Sequence, residues 1–473
     1  MSVRRIRADL AIIGAGAGGL SVAAGAAQLG LKVVLFEKGE MGGDCLNFGC
    51  VPSKALISSA NAAHAARGSG HLGVSTQGVK VDFAAVMARV HQVIADIAPI
   101  DSQERFEGLG VQVIREAAQF RDRQTVESAS VRVTARKILI AAGSRASVPA
   151  IPGLDKLPFL TNESLFELKT LPEHLIILGG GPIGIELGQA FRRLGSVVTL
   201  IEAGEPLARE DRDTAEVVLT QLKKDGVRLL THSRAIRVEA GPTVVVQGPE
   251  GEQRISGSHL LVATGRTPST AGLNLEAAGV AYTAAGVTTD ASLRTTNRRV
   301  FAVGDIAGRG QFTHLAGAHA GLFVRKAMFA LPINAERLVT PRVTYSNPEI
   351  ATVGLTEDQA RKIHGADVKV LIQPFEDNDR ARSEGDTRGF GKLVATKSGK
   401  VLGVTLVGPQ AGDLILFWAL ALTTGLKLAQ LTGVIAPYPT RGEINKRLPG
   451  AWYSGALFSP GTRLLVSILK HFS

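Results

Sequence analysis

The sequence predicts an α/β protein with two Rossmann-like dinucleotide-binding domains and a C-terminal α+β domain. Two observations predict the first part: a short apolar strand runs into a glycine-rich turn near residue 14, and the same pattern returns near residue 179. A third observation is the change to a pattern of antiparallel strands and helices from about Pro341. A chain of 473 residues is long enough for two or three domains.

The first glycine-rich turn follows an apolar strand, Asp9 to Ile13. It has the G-x-G-x-x-G spacing, and bare backbone at such a turn lets a pyrophosphate approach the N-terminus of the next helix. A second strand, Lys32 to Phe36, ends at Glu37, at the distance where an acid hydrogen-bonds a ribose. The glycines of this turn are Gly14, Gly16 and Gly19.

The second glycine-rich turn follows the strand Leu175 to Leu178, and the next strand, Val197 to Ile201, ends at Glu202. The repetition predicts two dinucleotides, one bound as a prosthetic group and one that visits. The glycines of this turn are Gly179, Gly181 and Gly184.

Cys45 and Cys50 are the only two cysteines in the chain, and glycines around them allow the backbone to turn and bring the thiols together. A structural disulfide across so short a loop would stabilise little, and zinc would need further ligands of matching spacing. The pair is therefore predicted to be redox-active. A helix predicted to begin near Pro52 would lower the pKa of Cys50 and make it a thiolate when the pair is reduced.

The stretch Gly42 to Lys54, GGDCLNFGCVPSK, resembles the active-site signature of FAD-dependent pyridine nucleotide-disulfide oxidoreductases. This family includes dihydrolipoamide dehydrogenase, glutathione reductase and mercuric reductase, and the resemblance covers essentially the whole chain. It implies that FAD occupies the first site and a nicotinamide dinucleotide the second. It also implies a homodimer with an active site shared between subunits. The implied domains are an FAD-binding domain at 1–148 and 286–340, an NAD(P)-binding domain at 149–285 and a dimerisation domain at 341–473.

The resemblance also gives roles to single residues. Cys50 would be the sulfur next to the flavin and Cys45 the sulfur that attacks the acceptor. Lys54 would lie beside the flavin ring, and Glu186 matches the acid that pairs with this lysine. Asp305 matches the acid that binds the ribityl chain of the flavin. The other residues assigned to cofactor binding are Lys38, Gly43, Asp44, Ala118, Ala142, Gly143, Ser144, Gly265, Phe312, Thr313 and His314.

Glu202 favours NADH as the nicotinamide cofactor. A carboxylate hydrogen-bonds a free 2′-hydroxyl but repels a 2′-phosphate, which prefers arginine. Arg209 follows several residues later and could reach a 2′-phosphate, so NADPH stays an alternative.

The sequence departs from the family pattern at Tyr438, where most members have the histidine of a His-Pro-Thr stretch. It keeps Glu443, which matches the acid that holds this imidazole. Tyrosine, with a pKa of about 10, shuttles protons poorly at neutral pH, so ordinary disulfide exchange should be handicapped. Mercuric reductases also carry tyrosine here. However, the adjacent C-terminal cysteines of that group and its common N-terminal metal-binding domain do not occur in this sequence.

The charge and hydropathy patterns limit the partners. The net charge is +11, but no Lys/Arg cluster is interleaved with aromatic residues, so nucleic-acid binding is not expected. The apolar run Leu414 to Leu422 is too short to cross a bilayer and predicts a helix covered by the core or a partner. Two cysteines, both used for redox work, are typical of a cytoplasmic protein.

The end of the chain, 459–473, predicts a basic amphipathic helix that begins at Ser459-Pro460. Two interpretations stay open. The helix packs on the body of the dimer, or it lies peripherally on the anionic inner face of a membrane. Its predicted apolar face consists of Leu464, Leu465, Ile468, Leu469 and Phe472.

Taken together, these features predict an enzyme that passes electrons from NAD(P)H through FAD to the Cys45–Cys50 disulfide. The acceptor would be a small disulfide or a thiol-bound species. One alternative is the reduction of mercuric or another soft metal ion. A second is a membrane-associated electron-transfer or redox-sensing flavoprotein that acts on a protein or a quinone.

Overall fold

The computed structural model describes residues 3–471. Its strands are β1 (Arg4–Ile13), β2 (Val33–Phe36), β3 (Gln112–Ile114), β4 (Gln119–Phe120), β5 (Thr125–Glu127), β6 (Val131–Ile140), β7 (Ser144–Ala146), β8 (His174–Leu178), β9 (Val197–Ile201), β10 (Arg228–Leu230), β11 (Arg234–Glu239), β12 (Thr243–Gly248), β13 (Gly251–Ser256), β14 (His259–Val262), β15 (Arg266–Pro268), β16 (Tyr282–Thr283), β17 (Gly286–Val287), β18 (Val300–Ala302), β19 (Arg342–Thr344), β20 (Glu349–Gly354), β21 (Val368–Pro374), β22 (Phe390–Thr396) and β23 (Val401–Gly408).

The α-helices occur between these strands and at the end of the chain. They are α1 (Ala17–Gln28), α2 (Gly43–Asn47), α3 (Cys50–Gly68), α4 (Phe83–Asp101), α5 (Gln103–Gly108), α6 (Pro182–Leu194), α7 (Arg212–Asp225), α8 (Thr313–Phe329), α9 (Glu357–His364), α10 (Asp379–Ser383), α11 (Ala411–Leu414), α12 (Leu416–Thr424), α13 (Leu428–Leu431), α14 (Glu443–Leu457) and α15 (Pro460–Leu469).

The described chain divides into two compact units. The first contains residues 3–63, 80–203 and 230–338, and the second contains 64–79, 204–229 and 339–471. Both predicted dinucleotide-binding segments have their glycine-rich turns in the first unit. The predicted α/β class is confirmed, while the predicted bounds of the three domains stay a prediction.

The largest sheet of the first unit has the order β3-β2-β1-β6-β5-β4, and β18 also pairs with β6. Strands β3, β2, β1, β6 and β18 run parallel, and the carboxyl ends of three of them lie in register: Ile13 pairs with both Phe36 and Ile140. Apolar side chains are buried on both faces of β1, as expected for a parallel sheet covered on both sides. The residues that follow these strands therefore meet at one edge of the sheet.

A second parallel sheet in this unit has the order β10-β9-β8-β14. Leu178 at the end of β8 pairs with Ile201 and with Val262. The turn after β8, the acid after β9 and the segment after β14 are consequently brought to one edge, in the same way as in the first sheet.

The second unit is built on an antiparallel sheet with the order β19-β20-β23-β22-β21. Helices α11 to α14 cover it around the buried Trp418. Lys392, on strand β22 next to the edge strand β21, is almost fully buried. Its Nζ lies 3.3 Å from Asp211 Oδ2, 2.9 Å from Asp213 Oδ2 and 2.8 Å from Glu357 Oε2. This cluster of one cation and three carboxylates ties β22 to α7 and α9.

The predicted elements differ from the observed ones mainly at their ends. The helix expected near Pro52 begins at Cys50, because proline is tolerated in the first turn of a helix. The run Leu414 to Leu422 is not one helix, since α11 ends at Leu414 and α12 begins at Leu416. One side of α12 is buried, but Leu416 and Leu420 are exposed.

Within residues 3–471, one helical stretch, Phe83–Gly108, is long and apolar enough to cross a membrane by length and composition. The stretch consists of α4 and α5, which meet at Ser102. Length and composition alone do not distinguish a membrane-spanning helix from a core helix of a soluble protein. The predicted cytoplasmic location stays a prediction.

Candidate active site

The glycine-rich turn after β1 leaves open space in front of helix α1. Gly14 has a φ of +107°, and a Cβ there would lie 2.4 Å from the carbonyl oxygen of Ala141. A Cβ on Gly19 would lie 1.9 Å from the carbonyl oxygen of Gly14, so both positions require glycine. A Cβ on Gly16, at the start of α1, would meet no protein atom within 4 Å. This open position at a helix N-terminus fits a pyrophosphate group.

The turn after β8 repeats this geometry almost atom for atom. A Cβ on Gly179, whose φ is +112°, would lie 2.4 Å from the carbonyl oxygen of Ala263. A Cβ on Gly184 would lie 2.0 Å from the carbonyl oxygen of Gly179, and Gly181 at the start of α6 has open space. The chain therefore contains two similar cradles, each of which a dinucleotide phosphate would fit.

A glutamate accepts a backbone hydrogen bond at each of the two glycine-rich turns. The backbone N–H of Ala15 donates to Glu37 Oε2 at 2.7 Å, and the backbone N–H of Gly180 donates to Glu202 Oε2 at 2.6 Å. Neither α1 nor α6 has an acidic residue in its first turn, so neither helix carries a carboxylate of its own at its N-terminus. The two predicted ribose-binding acids thus lie directly at the two phosphate turns.

The sulfur pair lies between helix α2, which contains Cys45, and helix α3, which begins at Cys50. Both cysteines are free thiols in the structure. Cys50 Sγ lies 3.5 Å from the hydroxyl oxygen of Thr313, the first residue of α8. Gly43 is tightly packed against the first cradle, because a Cβ on it would lie 2.7 Å from the Cα of Gly16. The thiols are therefore adjacent to the first dinucleotide site.

The two thiols have opposite proton affinities. The pKa of Cys50 is lowered to about 6, mainly by the hydrogen bond from Cys45 and further by Thr313 and the charge of Lys54, while burial and Asp44 act in the other direction. The pKa of Cys45 is raised well above its usual range, because its thiol donates to Cys50, because the side chain is partly buried and because a second negative charge beside Cys50 is unfavourable. At neutral pH the reduced pair is one thiolate, on Cys50, and one thiol, on Cys45. The low pKa expected for Cys50 is present, and the hydrogen bond from the partner thiol is its main cause.

Lys54 lies one turn after Cys50 in α3. Its Nζ donates to Glu186 Oε2 at 2.8 Å, and the Glu186 side chain is buried on α6. The predicted pairing of these two residues is present in the structure. The buried carboxylate of Glu186, on the helix after the second glycine-rich turn, therefore fixes the position of the Lys54 ammonium group.

A polar network surrounds Asp305, which follows β18. The hydroxyl of Ser144 donates to Asp305 Oδ2 at 2.5 Å and accepts from Arg266 Nε at 2.8 Å. Arg266 also lies 3.1 Å from Asp44 Oδ2, and the side-chain amide of Asn162 donates to Asp44 Oδ1 at 2.9 Å. Burial raises the pKa of Asp305, against the effects of Ser144 and Arg266. These groups offer hydrogen-bond donors and acceptors to a polar cofactor chain at this edge of the sheet.

Cys45 opens onto a cavity of about 390 Å³. Its lining is mostly apolar, with side chains from α1, α4 and α5, and Asp101 and Arg105 contribute charges. Burial raises the pKa of Asp101, and the charge of Arg105 partly offsets this effect. Cys50 lines a different cavity, of about 380 Å³, together with Lys54. The two sulfurs therefore face different spaces.

The other residues assigned to cofactor binding are scattered in their surroundings. Ala118 is buried in the apolar core on one face of the first sheet, and Ala142 packs against this core. Lys38 is exposed. The rings of Phe312 and His314 stack with centroids 5.2 Å apart. Two assigned glycines, Gly143 and Gly265, have left-handed backbone angles and open space around the Cβ position. Their roles in cofactor binding stay predictions.

Tyr438 and Glu443 belong to the second compact unit. The Tyr438 hydroxyl is exposed and donates to Asp379 Oδ2 at 3.2 Å. This hydrogen bond and the charge of Asp379 raise the pKa of Tyr438 further. Glu443 begins α14, and its Oε2 is buried without a hydrogen-bond partner among the residues that the structure describes. The phenol is thus held by Asp379 rather than by Glu443.

Sequence reasoning missed several residues of this site. Asn162, Asp101 and Arg105 belong to no motif. Only tertiary packing brings Asn162 to Asp44, and Asp101 and Arg105 to the cavity that Cys45 lines. His319 is a further case: it is fully buried, its Nδ1 accepts from the backbone N–H of Gly304, and burial and Arg309 lower its pKa to about 4. This neutral imidazole holds the turn that carries Asp305.

Comparisons with known proteins agree with this geometry. A family model described as pyridine nucleotide-disulphide oxidoreductase matches residues 8–320, and the dimerisation domain of that family matches residues 340–448. A mercuric reductase of Bacillus cereus is 38% identical over 92% of this chain and 70% of its own length. A dihydrolipoyl dehydrogenase of Geobacillus stearothermophilus is 35% identical over 93% of this chain and 95% of its own length. Among solved structures, the HOCl-induced flavoprotein disulfide reductase RclA of Escherichia coli superposes with a TM-score of 0.83 at 30% identity, over 93% of this chain and 99% of that one.

Proposed function

Because this chain belongs to the pyridine nucleotide-disulphide oxidoreductase family, whose members bind FAD and NAD(P)H, we propose that it reduces a small disulfide or thiol-bound acceptor at Cys45. Bound flavin supplies the two-electron transfer from the nicotinamide to the sulfur pair. The observation that carries the proposal is the unequal sulfur pair, in which Cys45 faces a cavity and Cys50 has a pKa of about 6. A homodimer, in which Tyr438 and Glu443 of one subunit shape the acceptor site of the other, is part of the proposal.

The sulfur chemistry consists of two exchange steps. The sulfur of Cys45 attacks one sulfur of the acceptor, which forms a mixed disulfide and releases the other half as a thiolate that takes up a proton. The thiolate of Cys50 then attacks the sulfur of Cys45, which releases the second half and restores the Cys45–Cys50 disulfide. The low pKa of Cys50 keeps it ready for the second step.

The first step needs a base, because the raised pKa of Cys45 leaves it a thiol, which is a poor nucleophile. Histidine would supply this base in most relatives, but the phenol of Tyr438 is a poorer proton acceptor, and its pKa is raised further. Of the described residues that line the Cys45 cavity, Asp101 is the only carboxylate. Its position and its raised pKa support a role as the group that takes the proton from Cys45 and returns it to the leaving thiolate.

The second dinucleotide site favours NADH. Glu202 accepts a hydrogen bond from Gly180 at the phosphate turn, which fixes its carboxylate where a 2′-phosphate would be repelled. The ratio of kcat/KM for NADH and NADPH tests this preference, and a ratio in favour of NADPH would contradict it.

The acceptor is tested by oxidation of NADH with the purified, flavin-loaded enzyme and one acceptor at a time: lipoamide, glutathione disulfide, Hg(II) or a quinone. We expect turnover with a small disulfide, and its loss in Cys45→Ser and in Cys50→Ser. Tyr438→His should raise this turnover, because histidine titrates near neutral pH. Full turnover in a variant without either cysteine would refute the proposal.

Reduction of a soft metal ion is the second candidate. Mercuric reductases from several bacteria are 34–38% identical to this chain, and RclA has also been solved as a Cu(II) complex. A thiolate at Cys50 is a suitable ligand for such ions, although the sequence contains no cysteine besides Cys45 and Cys50 to deliver them. Oxidation of NADH that depends on Hg(II) and exceeds the rate with every disulfide would favour this candidate.

A further inference from the structure

Helix α15 stands out because its apolar residues are exposed. No residue of α15 is buried, and its five large apolar side chains are each about half exposed or more. The helix is nevertheless well capped: Ser459 accepts a hydrogen bond from the backbone N–H of Thr462, and the Thr462 hydroxyl donates to the carbonyl oxygen of Ala456. It is therefore a formed helix whose apolar face is not covered by its own chain within residues 3–471. The alternative that this helix packs on the body of a dimer stays a prediction.

The side chains of α15 are sorted by chemistry around the helix. At about 100° per residue, Leu464, Leu465, Ile468 and Leu469 fall within one arc, with Val466 at its edge. The opposite arc contains Arg463, Ser467, Lys470 and His471. The exposed residues Leu457 and Phe458 extend the apolar surface toward α14. Phe472, which is predicted on the same face, lies outside the described residues.

The charges of this region have a single sign. No Asp or Glu follows Glu443 in the sequence, while Lys446, Arg447, Arg463 and Lys470 do. The whole chain carries +11, so the cationic tails of two copies would repel each other. The match to the dimerisation domain also ends at residue 448, before α15 begins. Charge complementarity therefore favours an anionic surface over a second copy of this chain.

We propose that α15 lies in the interface of an anionic lipid membrane. In this arrangement the apolar arc of α15 enters the boundary between lipid headgroups and acyl chains, and Arg463 and Lys470 contact the lipid phosphates. The enzyme would then be peripheral on the membrane and held there by α15. This inference is independent of which acceptor the enzyme reduces.

The test is flotation of the flavin-loaded, full-length enzyme with vesicles. We expect it to float with vesicles that contain phosphatidylglycerol, to stay behind with pure phosphatidylcholine, and to be released by high salt. Deletion of residues 459–473 should abolish flotation, and retained flavin and NADH oxidation would show that this variant is folded. Arg463→Gln with Lys470→Gln should weaken binding about thirtyfold, since each cation contributes a factor of about five.

A matched control is Arg5→Gln with Arg7→Gln, which removes the same charge from exposed positions of β1 and should leave flotation unchanged. Leu465→Ser with Leu469→Ser should abolish flotation without any change in charge. Binding that is equal on neutral and anionic vesicles, or that survives the deletion, would overturn the proposal. So would conversion of a dimer to monomers by the deletion in analytical ultracentrifugation, because α15 would then be a subunit contact.

Discussion

The low pKa of Cys50 depends in part on a hydroxyl group from a distant segment of the chain, and this dependence can be tested. Thr313 Oγ1 lies 3.5 Å from Cys50 Sγ and stabilises the thiolate. Thr313→Val removes this hydroxyl and keeps the shape of the side chain. We therefore expect the variant to raise the pKa of Cys50 without disturbing the fold of α8.

The size of the effect follows from the hydrogen bond. A hydrogen bond to a charged group contributes about 1.5 kcal/mol at the lower end of its range, which suits a long bond to sulfur. Since about 1.4 kcal/mol corresponds to a tenfold change, the pKa of Cys50 should rise from about 6 to roughly 7. At pH 6 the thiolate fraction should fall from about one half to roughly one tenth, and at pH 9 both proteins should be almost fully ionised.

The assay is a pH titration of the far-ultraviolet thiolate absorbance of the reduced protein. The chain has only two cysteines, so the signal comes from this pair alone. Thr313→Ser should restore the wild-type midpoint. Ser53→Ala is the matched control, because the Ser53 hydroxyl donates to the carbonyl oxygen of Cys50 and not to its sulfur. An unchanged midpoint in Thr313→Val, or an equal rise in Ser53→Ala, would refute the assignment of this hydrogen bond.

Three further predictions concern the cradle, the base and the second unit. Gly16→Ala should fold with wild-type stability but lose flavin, because its Cβ occupies only the open space. Gly19→Ala should also unfold at a lower urea concentration, because its Cβ collides with Gly14. Equal stability of the two variants would argue against the cradle. Asp101→Asn should slow reoxidation of the reduced cysteine pair by a disulfide, as measured by stopped flow. The effect should be largest at the pH values where the wild-type carboxylate is ionised. A pH profile like that of the wild type would exclude Asp101 as the base. Lys392→Met should cost about 3–5 kcal/mol in urea unfolding at pH 7, because three carboxylates lose their cation. The pKa of Glu357 is lowered in the folded protein, so the wild type loses this stabilisation as the pH falls, and the difference between the two proteins should shrink in acid.

The parts of the fold that follow from local chemistry were predictable from the sequence. The strands before both glycine-rich turns end within a residue of the predicted positions, and Glu37 and Glu202 lie at the turns as expected. These features depend on spacing along one βαβ unit, where the backbone geometry leaves few choices. The same holds for Cys45 and Cys50, whose separation limits how far apart the thiols can lie.

The rest of the site depends on packing between segments that are far apart in sequence. Asn162 reaches Asp44 across 118 residues, and Thr313 reaches Cys50 across 263 residues. No periodicity or motif marks such residues, because their positions are set by which strands and helices pack together. For the same reason the direction of the pKa shift of Cys50 is predictable from the sequence, but its main cause, the hydrogen bond from Cys45, is not.

The pattern of titratable groups supports the proposed disulfide exchange in a chain with tyrosine at position 438. The pair of thiols stores one proton on Cys45 and one negative charge on Cys50, so only the proton of Cys45 must move before the acceptor is attacked. A base for this proton has to lie on the same side as the acceptor cavity, which Asp101 lines, and burial raises the pKa of Asp101. With tyrosine in place of histidine at position 438, the pH dependence of turnover should therefore follow the half-buried carboxyl of Asp101. We expect Tyr438→His to restore a pH dependence typical of imidazole and to make the rate insensitive to Asp101→Asn, because proton transfer then passes from the carboxyl to the imidazole. A rate in Tyr438→His that still depends on Asp101 would contradict this exchange of roles.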